Sequence, residues 1–364
     1  MLGVAVLMAS ALCGVRAWAA GGDQAEVWQP TQAVVRLEDY AGSAVCASCH
    51  HAIGKKHADS EMALSGTRPV NSRILQAHPT LTLQRGNYSY SIRRDASAVL
   101  LTVSDGHSQI TEPLLLAIGA VGQTFLFSHQ GVYYRTPFDY YSEGEKFGLR
   151  VNPGTAEPTS LEAALGQRLS DGVRGCARCH SPTSMVGEEF DLTHLDPGAT
   201  CESCHGPGAK HVAAIRAGRH HEPLIFNPAR LGQEEELNYC GACHHTSEEV
   251  KKGDFKGIRT VIPQAYRLAG SRCWNASDHR SRCTFCHDPH APLVRDTAAY
   301  DGKCLDCHIT GAAASARADQ PGKACPVGKR DCAGCHMPKI QAPDTLAYTD
   351  HRIRIVTAGA PYPE

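Results

Sequence analysis

Net charge is what this chain has least of: 36 lysines and arginines face 37 aspartates and glutamates, for a formal charge of -1 over 364 residues. So even a balance gives no electrostatic reason to propose nucleic acid as a partner. Long hydrophobic runs are scarce too. Beyond residue 20 the closest approach to one, Pro113 to Val121, is too short to cross a bilayer. With 42% hydrophobic residues the composition still fits one or two globular domains. The N-terminus differs: Leu2 to Val15 is apolar, small residues follow, and Ala17-Trp18-Ala19 makes an A-x-A cleavage pattern, although no Lys or Arg precedes the run. Residues 1–20 therefore read as a signal peptide removed after Ala19 or Ala20. The mature protein is expected to be soluble, with no membrane span, in the periplasm or at the cell surface.

Cysteine is in excess, at 17 residues. Fourteen of them fall in seven CxxCH motifs: Cys46, Cys49 and His50; Cys176, Cys179 and His180; Cys201, Cys204 and His205; Cys240, Cys243 and His244; Cys283, Cys286 and His287; Cys304, Cys307 and His308; Cys332, Cys335 and His336. No CxxC lacks the following histidine. Zinc ribbons need paired CxxC knuckles but place no demand on the next residue. With 20 histidines in the chain, seven such coincidences have a probability on the order of one in a billion. The pattern is that of covalent haem c attachment: two thiols add to the porphyrin vinyl groups, and the adjacent imidazole takes one axial position on the iron. Seven haems are therefore expected, with the seven motif histidines as proximal iron ligands. Of the other cysteines, Cys13 would leave with the signal peptide. Cys273 and Cys325 are either a disulfide, which an oxidising compartment permits, or two separate thiols.

Motif starts are separated by 130, 25, 39, 43, 21 and 28 residues. Six clamps thus share the 161 residues from Cys176 to His336, about 27 each, too few to wrap each haem in a separate hydrophobic core. The haems must supply much of the core themselves, among short helices and loops. The long first gap reads differently: "NYSYSIR", "AVLLTVS", "TFLF" and "VYYRT" are strand-like, and "SDGH" and "SHQG" are turn cues. The organisation expected is a signal peptide at 1–20, a first haem-binding segment at 41–75, a small β-rich unit at 76–150 and a six-haem domain at 160–356. A short helix from Ser160 should deliver Cys176. The fold class expected is mainly α with low regular structure, haem-packed, with a small antiparallel β unit inserted between the first and second motifs.

Thirteen histidines lie outside the clamps, enough for every iron to gain a second imidazole. His290 comes three residues after His287, and His211 six after His205. Neither can easily cross to the opposite face of its own porphyrin, so each would serve a neighbouring haem. His57 and Met62 follow the first clamp; a thioether ligand would make that haem the high-potential end, and a core methionine on a helix is the other reading.

The blocks "CESCHGPGAKHV", "SRCTFCHDPHAPL", "CLDCHITG", "ACPVGKRDCAGCHMPK" and "TDHRIRI" resemble multihaem c-type cytochromes with a cytochrome c-552/c-554-like domain. "AIGAVGQTFLF" and "GVYYRTPFDYY" look like the β segment of uncharacterised members of that group. The resemblance covers most of the mature chain. It implies a mostly helical, haem-packed fold with bis-histidine ligation, and distal roles for His211, His290 and His351. His78 and Met62 fall where relatives often carry a further ligand.

The function expected is electron relay along closely packed haems, with redox proteins as partners: other cytochromes or a quinol-oxidising membrane complex. One alternative is an oxidoreductase with an open iron, acting on a small inorganic nitrogen or sulfur compound. No CxxCK, a frequent mark of nitrite-reducing relatives, occurs in the chain. Another is a subunit of an extracellular cytochrome wire.

Overall fold

The computed structural model describes residues 28–31, 36–141, 148–152, 154–187, 189–222, 224–253, 255–271, 273–274, 279–308, 325, 327–341 and 347–357. The expected signal peptide and Cys13 lie outside the described residues.

The largest element is an antiparallel sheet of ten strands: β1 (Gly66–Thr67), β2 (Thr80–Arg85), β3 (Tyr88–Arg94), β4 (Val99–Ser104), β5 (Gln109–Ile118), β6 (Gly122–His129), β7 (Val132–Arg135), β8 (Phe138–Tyr141), β9 (Gly148–Val151) and β10 (Gln167–Arg168). Its main path runs β10-β7-β6-β5-β4-β3-β2, while β1 adds to β5 and the β8–β9 pair joins through β6. This corrects the expectation of a mainly α fold with a small β unit. The sheet is large because eight strands, β2 to β9, fill residues 80–151, and β2, β5, β8 and β9 lie outside the four strand-like stretches read in the sequence; β1 and β10 add two residues each by backbone pairing from either side.

Alternation builds its core. Along β4, Val99, Leu101 and Val103 are buried while Thr102 meets Thr111 on the other face, hydroxyl to hydroxyl at 2.9 Å. Ile92, Phe125, Phe127 and Phe138 fill the same cluster with almost no exposure; each such side chain stabilises by roughly 1.5–3 kcal/mol on burial. The turn cues work as read. Asp105 accepts hydrogen bonds from the backbone N–H of His107 and Ser108, and Gln130 and Gly131 both take positive φ, 50° and 76°, as a tight two-residue hairpin requires.

The helices are short: α1 (Ser43–Cys49), α2 (His51–His57), α3 (Arg73–Ala77), α4 (Arg174–His180), α5 (Cys201–His205), α6 (Ala209–Arg216), α7 (Gln233–His244), α8 (Ser247–Lys252), α9 (Gln264–Ala269), α10 (Cys283–Cys286), α11 (Asp301–His308) and α12 (Cys332–His336). Capping at both ends explains α5. Thr200 and Ser203 form a reciprocal capping box at its start, and Gly206, at φ 73°, ends it five residues later. The helix expected from Ser160 is a single 3-10 turn, Ala163–Leu165, with Leu165 fully buried in the sheet core. Gly166, at φ 112°, stops it, and a Cβ there would lie 2.4 Å from the Arg135 carbonyl oxygen. The chain then runs as β10 before α4 presents the second clamp. A second hydrophobic cluster joins Leu116, Ile118 and Leu126 of the sheet to Val173, Ala177, Met185 and Leu195, with Cys176 packed against it. No helix among the described residues is long and apolar enough to cross a membrane.

Candidate functional site

Every clamp places its cysteine pair on a helical turn, in α1, α4, α5, α7, α10, α11 and α12. An i, i+3 spacing sets both thiols on one helix face, one above the other. All the described cysteines are free thiols, Cys273 and Cys325 included. Burial pushes the Cys46 and Cys204 thiols up to about 11 and also raises Cys176 and Cys286. The one cluster of metal-ligand type among the described residues, Glu236 with Cys240 and Cys283, mixes two clamps. Its carboxylate already accepts from Thr284 N at 2.8 Å and Thr284 Oγ1 at 3.0 Å, and pairs with Arg282.

The clamps converge on one continuous cavity of about 4360 Å³, lined by cysteines and the histidine of all seven. Shared among seven, it gives each a volume within the roughly 300–1,000 Å³ usual for a cofactor pocket. Of the large hydrophobic side chains exposed among the described residues, all but Val186 line it: Ile53, Leu293, Val294, Val327, Ile355 and Val356. Exposed apolar side chains gathered on a single concavity mark a ligand surface, and here they suit a flat apolar macrocycle.

The imidazoles are set for iron. His180 Nδ1 donates to Ser65 O at 2.9 Å, His205 Nδ1 to Phe226 O at 2.9 Å, His336 Nδ1 to Arg354 O at 2.7 Å and His351 Nδ1 to Thr349 O at 3.0 Å. A carbonyl can only accept, so each Nδ1 carries the proton and each Nε2 keeps its lone pair for a metal. Burial lowers the pKa of His180, His205, His244 and His287, and takes His351 down to about 4, favouring the neutral ligand form.

Two pairs of rings lie close together on the cavity wall. His205 and His290 have centres 6.0 Å apart with planes 10° from parallel; His287 and His351 have centres 6.2 Å apart at 41°. Metal–imidazole bonds of about 2 Å on opposite sides of one metal put ring centres about 6 Å apart. His290 thus faces the third clamp rather than its own, the fifth. His211, on α6, and Met62 lie on the cavity wall. His78 does not: it caps the C-terminus of α3, with its ring 5.5 Å from Tyr140 of the sheet.

Three further histidines lie on the wall: His57, which follows the first clamp as noted above, and His245 and His279, which had no signal in the sequence. Burial lowers the His57 pKa, helped by nearby His290 and His205. His245 follows a clamp histidine directly and turns at φ 58°. His129 and His194 are engaged elsewhere, with Glu112 at 2.7 Å and Asp191 at 2.6 Å.

No protein-family model matches the chain. Over 175 residues it is 26% identical to the high-molecular-weight cytochrome c of Nitratidesulfovibrio vulgaris Hildenborough, a match covering 46% of this chain and 26% of that protein's own length. The crystal structure of the outer cell wall cytochrome OcwA aligns with 87% of this chain and 80% of its own at a TM-score of 0.48 and 14% identity.

Proposed function

We propose that this chain is a multihaem c-type cytochrome that relays electrons along seven covalently attached haems. The observation that carries the reading is the single apolar cavity onto which all seven clamps open. Distant similarity to a cytochrome over part of the chain agrees with it.

The haem, when bound, supplies an iron that takes up or releases one electron. The chain's own residues do the rest. Fourteen clamp cysteines would hold the macrocycles by thioether bonds, and His50, His180, His205, His244, His287, His308 and His336 would supply nitrogens to the irons. His290 completes the site of His205, and His351 that of His287. His211 would be a further sixth ligand, Met62 is placed on the wall where it could be another, and His78 is left to the sheet. Backbone carbonyls on Nδ1 fix ring orientation and ligand basicity, and apolar walls exclude water; both set potentials. Export through the N-terminal signal places the protein in the periplasm or at the cell surface. There it exchanges electrons with redox proteins such as other cytochromes or a quinol-oxidising membrane complex.

The cavity wall offers six histidines from outside the clamps, His57, His211, His245, His279, His290 and His351, to seven clamps. One sixth position therefore falls to Met62 or stays open, and an open one favours the second reading, an oxidoreductase. Coulometric reduction coupled to EPR tests both. The relay reading expects seven one-electron equivalents per chain and low-spin ferric signals only. A high-spin signal with carbon monoxide binding at one haem per chain supports the oxidoreductase, and no reducible iron defeats both.

A further inference from the structure

The clamps do not follow one another in space as they do in sequence. Helix α7, which bears the fourth clamp, is the longest in the described chain, 12 residues, with Gln233, Glu236, Leu237, Tyr239 and Gly241 buried. Three different clamps meet it. On the second clamp, α4 packs against α7, and Cys179 Sγ reaches Ala242 O at 3.9 Å. Arg178 of α4 also pairs with Glu249, just beyond α7, at 3.2 Å. On the third, the Tyr239 hydroxyl of α7 donates to the backbone oxygen of Cys204. On the fifth, α10 packs against α7, Thr284 N donates to Glu236 at 2.8 Å, and the Cys240 and Cys283 sulfurs lie within 4.8 Å of each other. Tyr239, Cys240 and Ala242 are neighbours in sequence, and the helical turn directs their contacts to three different clamps.

The remaining clamps attach outward from these. The first meets the third, where Glu202 of α5 accepts from Ala41 N and Gly42 N at 2.7 and 2.8 Å. The sixth meets the fifth, with Lys303 Nζ 5.2 Å from the Phe285 ring centre. The seventh meets the sixth, with Cys332 N donating to Asp301 at 2.8 Å.

We infer that α7 is a three-way junction: the iron of His244 has the irons of His180, His205 and His287 as its nearest neighbours. The haem array is then branched. One arm runs through the third clamp to the first, another through the fifth and sixth to the seventh, and the third arm is the second clamp, whose Cys176 packs on the hydrophobic cluster under the sheet. A branched array has three ends and so serves three one-electron partners, where a linear wire serves two. This rests on the relay reading, which supplies the haems.

Anomalous diffraction at the iron edge from crystals of the unmodified, haem-loaded protein tests it, with each peak assigned to a clamp from the surrounding map. The expected result is that the three irons closest to that of His244 are those of His180, His205 and His287. If any other iron displaces one of these three, the junction is overturned and the relay reading stands. If haem is missing from the Cys176, Cys201, Cys240 or Cys283 clamp, both are overturned.

Discussion

The strap that carries His351 to the cavity is held by one buried ion pair, and breaking that pair should release one axial ligand. Asp350 is fully buried and accepts from Arg267 Nε at 2.8 Å and from a second Arg267 nitrogen at 2.8 Å; Arg267 is itself 1% exposed. Arg354 adds a contact at 2.5 Å. Asp350→Asn keeps the shape but takes the Asp350 charge away from the buried Arg267 guanidinium. Removing one partner of such a pair costs roughly 3–5 kcal/mol, between about two and three and a half powers of ten in the equilibrium that seats the strap, at about 1.4 kcal/mol per tenfold. Other local ties include Ser271 Oγ to His351 O at 3.0 Å, Ile353 N to Ser271 Oγ at 2.9 Å, Asp350 N to Pro338 O at 3.0 Å and His336 Nδ1 to Arg354 O at 2.7 Å. They are worth about 1 kcal/mol each and supply no charge to the buried guanidinium. In the haem-loaded protein the ferric EPR spectrum should therefore lose one low-spin iron, and the thermal midpoint should fall. The control is Glu248→Gln, which breaks the exposed Glu248–Lys252 pair and should change neither. An Asp350→Asn protein with the parent spectrum and midpoint would refute the argument.

His290→Ala should convert the His205 iron to high spin, with added imidazole restoring the low-spin signal, whereas His78→Ala should leave the spectrum intact; the reverse pattern would show that the ring geometry misleads. Phe127→Ala, in the centre of the sheet, should cost about 3–5 kcal/mol without lowering the number of haems attached, as read by thermal melts and mass. Acid should loosen the strap. Burial pushes the Asp350 carboxyl up, but hydrogen bonds from Arg267 and Arg352 N and the charges of Arg267 and Arg354 leave it below its ordinary value. Its contribution is present above about 3.9 and lost as pH falls through the lower folded value. His351, lowered to about 4 by burial, acts in the same direction, because the unfolded chain takes up its proton from about pH 6.5 downward. Stability of the His351 site should fall steadily on acidification from about pH 7; a rise in the thermal midpoint over that range would contradict this.

The clamps were legible because their chemistry is local: two thiols and an imidazole within five residues, each on a helical turn. The hairpins of the sheet were legible for the same reason, in "SDGH" and "SHQG". Its size was not: β2, β5, β8 and β9 lie outside the strand-like stretches that stood out, and β1 and β10 join only by pairing with β5 and β7 across long sequence separations. Sixth ligands sit between these cases. His51 and His245 each follow a clamp histidine directly, yet His51 opens α2 exposed and off the cavity, while His245, at φ 58°, lies on its wall. His245 ends one helix and His51 opens another, and the shared His-His pattern does not tell the two apart. His290 and His351 could be placed near neighbouring clamps by spacing and by family resemblance, but their partners, His205 and His287, depend on tertiary packing.

The central claim is that seven clamps each hold a haem covalently. Intact mass spectrometry of the protein isolated from its host, denatured so that only covalent groups remain, is the sharpest test. One dominant species should be heavier than the polypeptide by seven haems. A dominant species carrying fewer, or a mass equal to the bare polypeptide, would contradict it.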